Sequence, residues 1–347
     1  MSSMTATLSI LLSLTSILSS HSHSLSDRPT LKYGTAWKKD ATSGLVYRAI
    51  LSGFRHIDTA CQPRHYNEAG VGEGWSKAAY VDIVSHVFLL TFSYMCYTIF
   101  EFLCYSNQSK ELGLSRQDIW IQTKFSGLDA HDPNNVPYDV NAPLEERVRQ
   151  SLQKSLDNLQ TDYLDSWVMH GPENNWDDHF KVWRTMEESV DEGKVKQLGI
   201  SNFYRLEDVK WAYDNARIKP KVVQNRFYSE SGHDVDIRRF CKENDIEYQS
   251  FWTLGANRGA YQHEAALEIA DKYNVSPEGL FYAFCMAIGI TPLDGTTSEI
   301  HMREDIELLE RLRSGERFFE SDEELAVIGD ALGTPSWRAD VDLEEEL

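Results

Sequence analysis

Cysteine is scarce in this chain. There are five (Cys61, Cys96, Cys104, Cys241 and Cys285), an odd number with no C-x-x-C spacing. That usage excludes a dense disulfide framework and a structural zinc site. Positive charge is also short: 34 Lys and Arg against 54 Asp and Glu leave a formal net charge of −20. Such an imbalance argues against nucleic acid or an anionic membrane as partner. Part of it belongs to the acidic stretch Asp340 to Glu346, which reads as a solvated tail. A glycine-rich nucleotide loop is missing as well. In Gly70-Val71-Gly72-Glu73-Gly74-Trp75 the last glycine of G-x-G-x-x-G falls on Trp75, and the stretch does not lead directly out of a strand. It reads as a helix start, and any nucleotide must be bound without that loop.

What remains is a soluble globular composition, 41% hydrophobic and 25% charged over 347 residues, enough for one large core. Strand-like runs alternate with helical patterns from Leu31 onward. The strand candidates are Leu31–Gly34, Phe54–Asp58, Ile119–Lys124, Leu164–His170, Val195–Ser201, Val222–Arg226, Ile246–Thr253 and Ile288–Thr291. Among the helices, Pro143 to Leu159 has the clearest stripe, with Val148, Leu152, Leu156 and Leu159 on one face. Phe180 to Val190, Arg205 to Ala212, Asp234 to Asn244 and Glu264 to Tyr273 are the other candidates. Eight strands alternating with helices predict an α/β fold, a single-domain (β/α)8 TIM barrel over residues 27–335. Residues 1–26 form a leader with a short apolar stretch, Leu8 to Leu18, but no basic start. It reads as a disordered leader or a targeting segment, so a cytoplasmic location is expected, with secretory or organellar targeting as the alternative.

Four polar residues follow short strand-like runs: Asp58, Tyr66 in the next turn, Lys124 and His170. Groups just past strand C-termini stand where parallel barrels place their chemistry. A phenol is a weak acid with an ordinary pKa of about 10. An ammonium beside it lowers that value by stabilising the phenolate, and a carboxylate keeps the ammonium charged. A histidine can donate to a carbonyl oxygen. Each residue alone has a structural explanation; together at strand ends they point to proton transfer.

At these residues the chain resembles the aldo-keto reductase family. The matching text is Gly53-Phe54-Arg55-His56-Ile57-Asp58-Thr59-Ala60, Tyr66-Asn67-Glu68, Gln122-Thr123-Lys124-Phe125, His170-Gly171-Pro172 and Leu198-Gly199-Ile200-Ser201-Asn202-Phe203. The resemblance implies a metal-free barrel that reduces a small-molecule aldehyde or ketone with NADP(H), with NAD(H) as the alternative. It implies Tyr66 as general acid, Asp58 and Lys124 as its tuners and His170 as the substrate guide. Ser201, Asn202 and Gln224 would hold the carboxamide. Phe251, or Trp252 beside it, would stack on the nicotinamide, with Leu254 adjacent, and Thr296, Thr297, Ser298 and Arg303 would grip the adenosine 2′-phosphate. There are two departures. The turn from Asp58 to Tyr66 is three residues longer than the commonest family spacing, which makes His65 the fallback acid. Gly295 and His301 stand where many members carry Lys and Arg. A slow NADP(H)-binding regulatory or redox-sensing barrel is the competing function, and substrate and oligomeric state are not legible.

One segment breaks the cadence. Residues 81–108 form an aromatic and aliphatic run with no amphipathic stripe, approaching a membrane span in length. A span between two barrel strands would tear the barrel open. Removing Tyr80 to Ser109 joins Ala79 to Lys110-Glu111-Leu112-Gly113, an ordinary helix end with a glycine cap. The segment therefore reads as a retained intron translated in frame: the codon for Val81 begins GT, and Gln108 can be CAG. The alternatives are a genuine hydrophobic insertion and a membrane anchor, and a mis-spliced product would be inactive. Transcript sequencing should find most messages lacking these codons; messages that read straight through would defeat the intron reading.

Overall fold

The computed structural model describes residues 29–79 and 114–333. The leader 1–26, the segment 81–108 and the tail 336–347 lie outside the described residues. Eight strands run in sequence order: β1 (Lys32–Gly34), β2 (His56–Asp58), β3 (Trp120–Phe125), β4 (Leu164–Met169), β5 (Val195–Ser201), β6 (Val222–Arg226), β7 (Glu247–Phe251) and β8 (Ile290–Asp294). Each pairs in parallel with the next, and β8 returns to β1 to close the barrel. This is the (β/α)8 architecture that the alternating pattern predicts. β4 is buried at every position, as expected for a strand covered on both faces. β8 starts two residues later than expected. Ile288 is spent capping the helix Pro277–Ala287, and Gly289 turns the chain at φ 79°.

The helices form for local reasons. Leu144–Leu159 buries the stripe Val148, Leu152, Leu156 and Leu159 and carries Glu145 and Glu146 in its first turn, where acidic groups favour the helix dipole. Trp176–Asp191 begins four residues before the expected start, because the Asn175 side chain caps it by accepting from the Asp178 amide at 2.9 Å. Pro277–Ala287 is capped by Ser276 and buried over most of its length. A helix apolar all round shows no stripe, which hid it in the sequence. Among the described residues no helix is long and apolar enough to cross a membrane.

The barrel interior holds a belt of amides. Gln122 Nε2 donates to Asp58 Oδ1 at 2.8 Å and to Gln249 Oε1 at 2.6 Å. Gln224 Nε2 donates to the same two oxygens at 2.9 and 3.0 Å. Gln249 Nε2 in turn reaches Glu247 Oε2 at 2.7 Å, and Glu247 pairs with buried Lys32 at 3.2 Å. Interior layers of such barrels are usually branched and aliphatic; here a hydrogen-bonded network links β2 to β7 across the bore.

The helix at 68–79 contains Gly70, Gly72 and Gly74, so the glycine-rich stretch is helical and not a nucleotide loop. Trp75 Nε1 donates to Leu159 O at 2.7 Å, drawing this helix against Leu144–Leu159. A Cβ at Gly72 would lie 2.0 Å from the Asn158 carbonyl oxygen, a backbone atom with little freedom to retreat. Gly72→Ala should therefore cost about 1–3 kcal/mol of stability through overpacking. Chemical denaturation checks this, with Gly259→Ala, where nothing stands within 4 Å, as the control expected to leave the midpoint in place.

Candidate active site

β2 and β3 place Asp58 and Lys124 side by side at the upper end of the barrel, 2% and 0% exposed. Lys124 Nζ donates to Asp58 Oδ1 at 2.8 Å, to Asp58 Oδ2 at 2.7 Å and to Thr59 O at 2.8 Å. An ammonium has three N–H donors, and these acceptors match them. Burial pulls the Lys124 pKa down, and the Asp58 carboxylate works against that pull.

Tyr66 arrives from the turn after β2. The extra residues fold into a compact turn in which the His65 and Tyr66 amides both donate to Gln62 O at 3.0 Å, so the longer spacing leaves Tyr66 against the barrel. The Lys124 ammonium stands 5.4 Å from the centre of the Tyr66 ring. Behind Tyr66, buried Glu68 accepts from Thr123 Oγ1 at 2.5 Å and Asn158 Nδ2 at 3.0 Å, anchoring the start of the helix at 68–79. The fallback residue His65 lines the same cavity, but its Nδ1 meets Gln62 Oε1 at 2.7 Å and its ring packs on Trp37 at 4.2 Å. His170 follows β4, with its ring edge-on to Tyr66 at 6.0 Å and its Nδ1 2.7 Å from Ser126 Oγ.

Electrostatically, the tyrosine departs from the sequence expectation. Its pKa is raised, first by burial and then by Asp58. The ammonium expected to lower it is neutralised by its own carboxylate. Tyr66 is thus held protonated, the form a proton donor needs. His170 is pushed far below the ordinary imidazole range by burial and by Lys124, so it is neutral.

Tyr66 and His170 open into a cavity of about 1400 Å³, larger than the roughly 300–1,000 Å³ of a typical small-molecule site. Asn202, Gln224, Phe251, Leu254 and Thr296 line it, while Ser201, Thr297, Ser298 and Arg303 do not. Asn202 is held at φ 61°, with Nδ2 donating to His170 O at 2.6 Å and to Ser201 Oγ at 3.2 Å. Ser201 Oγ is itself spent on Gln224 O at 2.6 Å. Phe251 and the 57%-exposed Trp252 both face the cavity. Amides beside aromatic faces are a donor set that fits a nicotinamide ring and its carboxamide. Of the polar loop after β3, Asp129 reaches the cavity, whereas His131 turns inward to Ser126 O at 3.1 Å.

The sequence reading missed Ser126, Gln122 and Gln249 of the interior belt, and Arg226. Arg226 lines the cavity with its guanidinium 4.2 Å from the Trp252 ring and 5.3 Å from the Tyr228 ring, and its buried Nε has no partner. An Arg ending a strand next to aromatics was the available signal.

A family model described as "Aldo/keto reductase family" matches residues 104–323. The chain belongs to that family. It is 27% identical over 262 residues to the oxidoreductase YtbE of Bacillus subtilis, covering 75% of each chain. It is 25% identical over 267 residues to glyoxal reductase of the same organism, covering 76% of each. Among solved structures, an aldo-keto reductase from a deep-sea metagenome, MGS-M4, superposes with TM-score 0.64 at 20% identity, over 88% of this chain and 92% of that one. Aldose reductase from Giardia lamblia gives 0.63 at 21% identity, over 88% and 93%. At these identities the structures speak for the fold. The family match begins beyond Asp58 and Tyr66, so those two residues rest on geometry.

At the far end of the cavity this aldo/keto reductase buries two carboxyls together. Asp294 and Asp305 are 1% and 5% exposed. Burial, then the Asp294 charge, pushes Asp305 up to about 9, and Asp294 is raised by burial. An unfolded Asp titrates near 3.9, so between about pH 4 and 9 the folded chain holds a proton that the unfolded chain has lost. Stability falls as pH rises across that window and levels off above it. Asp305→Asn should flatten that part of the slope in urea denaturation at pH 5, 7 and 9. A slope unchanged by the substitution would refute the shared proton.

Proposed function

We propose that this chain reduces an aldehyde or ketone to the alcohol, with Tyr66 as general acid, Lys124 and Asp58 as its tuners and His170 as the group that orients the carbonyl. The observation that carries this reading is that Asp58, Tyr66 and His170 line one cavity, while Lys124, buried behind them, bonds Asp58 and faces the Tyr66 ring. A reduced nicotinamide dinucleotide bound there supplies the hydride; NADPH is the form implied by the sequence resemblance, NADH the alternative. Asn202 and Gln224, backed by Ser201, are the residues we assign to the carboxamide, and Phe251 or Trp252 to the ring face, with Leu254 beside them. Relatives whose names describe carbonyl reduction, such as glyoxal reductase and methylglyoxal reductase, support the substrate class.

The residues divide the work by protonation state. Tyr66, held protonated, gives its proton to the carbonyl oxygen as negative charge develops there. The phenolate left behind faces the Lys124 ammonium across its ring, and Asp58 keeps that ammonium charged in a site from which water is excluded. Neutral His170 receives the Ser126 hydroxyl at Nδ1, which leaves Nε2–H to donate toward the substrate oxygen.

Tyr66→Phe keeps the ring and removes the proton. It should lower kcat for a generic aldehyde by about 10²–10⁴-fold and leave reduced dinucleotide affinity within twofold. Equal turnover by the variant and the parent would sink the assignment of Tyr66.

A further inference from the structure

We propose that the adenosine end of the cleft selects NADH over NADPH; this rests on reading the cavity as a dinucleotide site. The cavity runs from Tyr66 and His170 to Gly295, Thr296 and the start of the helix Glu299–Arg313. Its far wall carries four carboxyl groups, those of Glu278, Asp294, Glu304 and Asp305. Asp294 Oδ1 accepts from the Thr296 amide at 2.7 Å and from Tyr282 at 3.4 Å. Apart from Asp305, no group among the described residues donates to the buried Asp294 Oδ2. The pair shares one proton and so keeps one negative charge, which opposes a phosphate and can accept from a ribose hydroxyl.

The cations that could receive a 2′-phosphate are committed elsewhere. Arg303 is ion-paired with Glu299 one turn back and stands outside the cavity lining. Lys38 is buried, with Nζ donating to Gly295 O at 2.8 Å and Thr296 O at 3.3 Å. His301 does line the cavity, but an imidazole lacks the five-donor fork with which Arg grips phosphate. The hydroxyls bring no charge: Thr296 Oγ1 accepts from the Ser298 amide at 3.2 Å and Ser298 Oγ caps the His301 amide at 3.4 Å, which leaves each one neutral O–H to offer. The guanidinium that does face the dinucleotide path, Arg226, lies on β6 beside Trp252, suited to the diphosphate bridge that both forms share. A 2′-phosphate would therefore add a dianion against carboxylates where no Lys or Arg among the described residues lines the far wall, whereas a free 2′-hydroxyl adds a donor.

The test is equilibrium quenching of intrinsic tryptophan fluorescence in the full chain, since Trp37 and Trp252 both line the cleft, titrated separately with NADH and NADPH. NADH should bind at least tenfold more tightly. Gly295→Lys combined with His301→Arg should improve NADPH affinity at least tenfold while leaving NADH within threefold, and Glu304→Gln should narrow the gap alone. NADPH binding as tightly as NADH to the unaltered chain overturns the proposal, whatever the variants do. Saturation by neither form would overturn the dinucleotide reading itself, a different failure from a reversed preference.

Discussion

A fully buried ammonium cannot exist in this barrel without the carboxylate it touches, and the upper half of the molecule is arranged around that constraint. Lys124 and Asp58 meet at 2.7 and 2.8 Å with no access to water. Charges in such a place cost several kcal/mol each to desolvate, and removing one partner of a buried pair typically costs about 3–5 kcal/mol. The pair survives because its remaining hydrogen-bonding capacity is filled. Thr59 O takes the third ammonium proton, and Gln122 and Gln224 give amide protons to Asp58. The amide belt supports the pair: an aliphatic layer in the same place would leave the Asp58 charge with Lys124 as its only side-chain donor among the described residues.

That pairing also explains why the tyrosine and the histidine hold the protonation states they do. A lone ammonium near Tyr66 would favour the phenolate. With Asp58 in contact, the pair is close to neutral at the distance of the ring, and burial decides, keeping the phenol protonated. His170 has no carboxylate of its own among the described residues; its electrostatic neighbours Lys124, His65 and His131 all oppose a positive ring. One acid and one neutral donor, each set by surroundings and not by intrinsic pKa, is the arrangement that carbonyl reduction asks for.

Much of this was legible from residue order, for identifiable reasons. The strands read clearly because both faces are buried, which turns them into apolar runs, and the quartet stood out because Asp58, Lys124 and His170 end such runs and Tyr66 lies in the turn after one. The turn before Tyr66 could be counted, but its compact shape depends on two amides converging on the Gln62 carbonyl, which no composition rule reveals. Gln122 and Gln249 look like solvent-facing residues until the closed barrel turns them inward. The helix Pro277–Ala287 lacks a polar face and therefore a period. Ser126 and Arg226 acquire meaning only through neighbours far away in the chain, His170 for one and Trp252 for the other.

The charge of the cleft is distributed as unevenly as its chemistry. In a chain of formal net charge −20, an anionic dinucleotide finds little help from the overall field, so attraction has to be local. In the reading proposed, Arg226 supplies it midway, with an Nε unpartnered among the described residues and aromatic rings on its flanks, the setting in which a guanidinium is both oriented and partly desolvated. Beyond it the wall turns acidic at Asp294, Glu304 and Asp305, and part of that acidity is stored as a shared proton. In the reading proposed, a dinucleotide is held at its centre by charge, at one end by amides and aromatic faces, and at the other by hydroxyl-to-carboxylate bonds. A further anion at that last end would meet the negative charge of its wall.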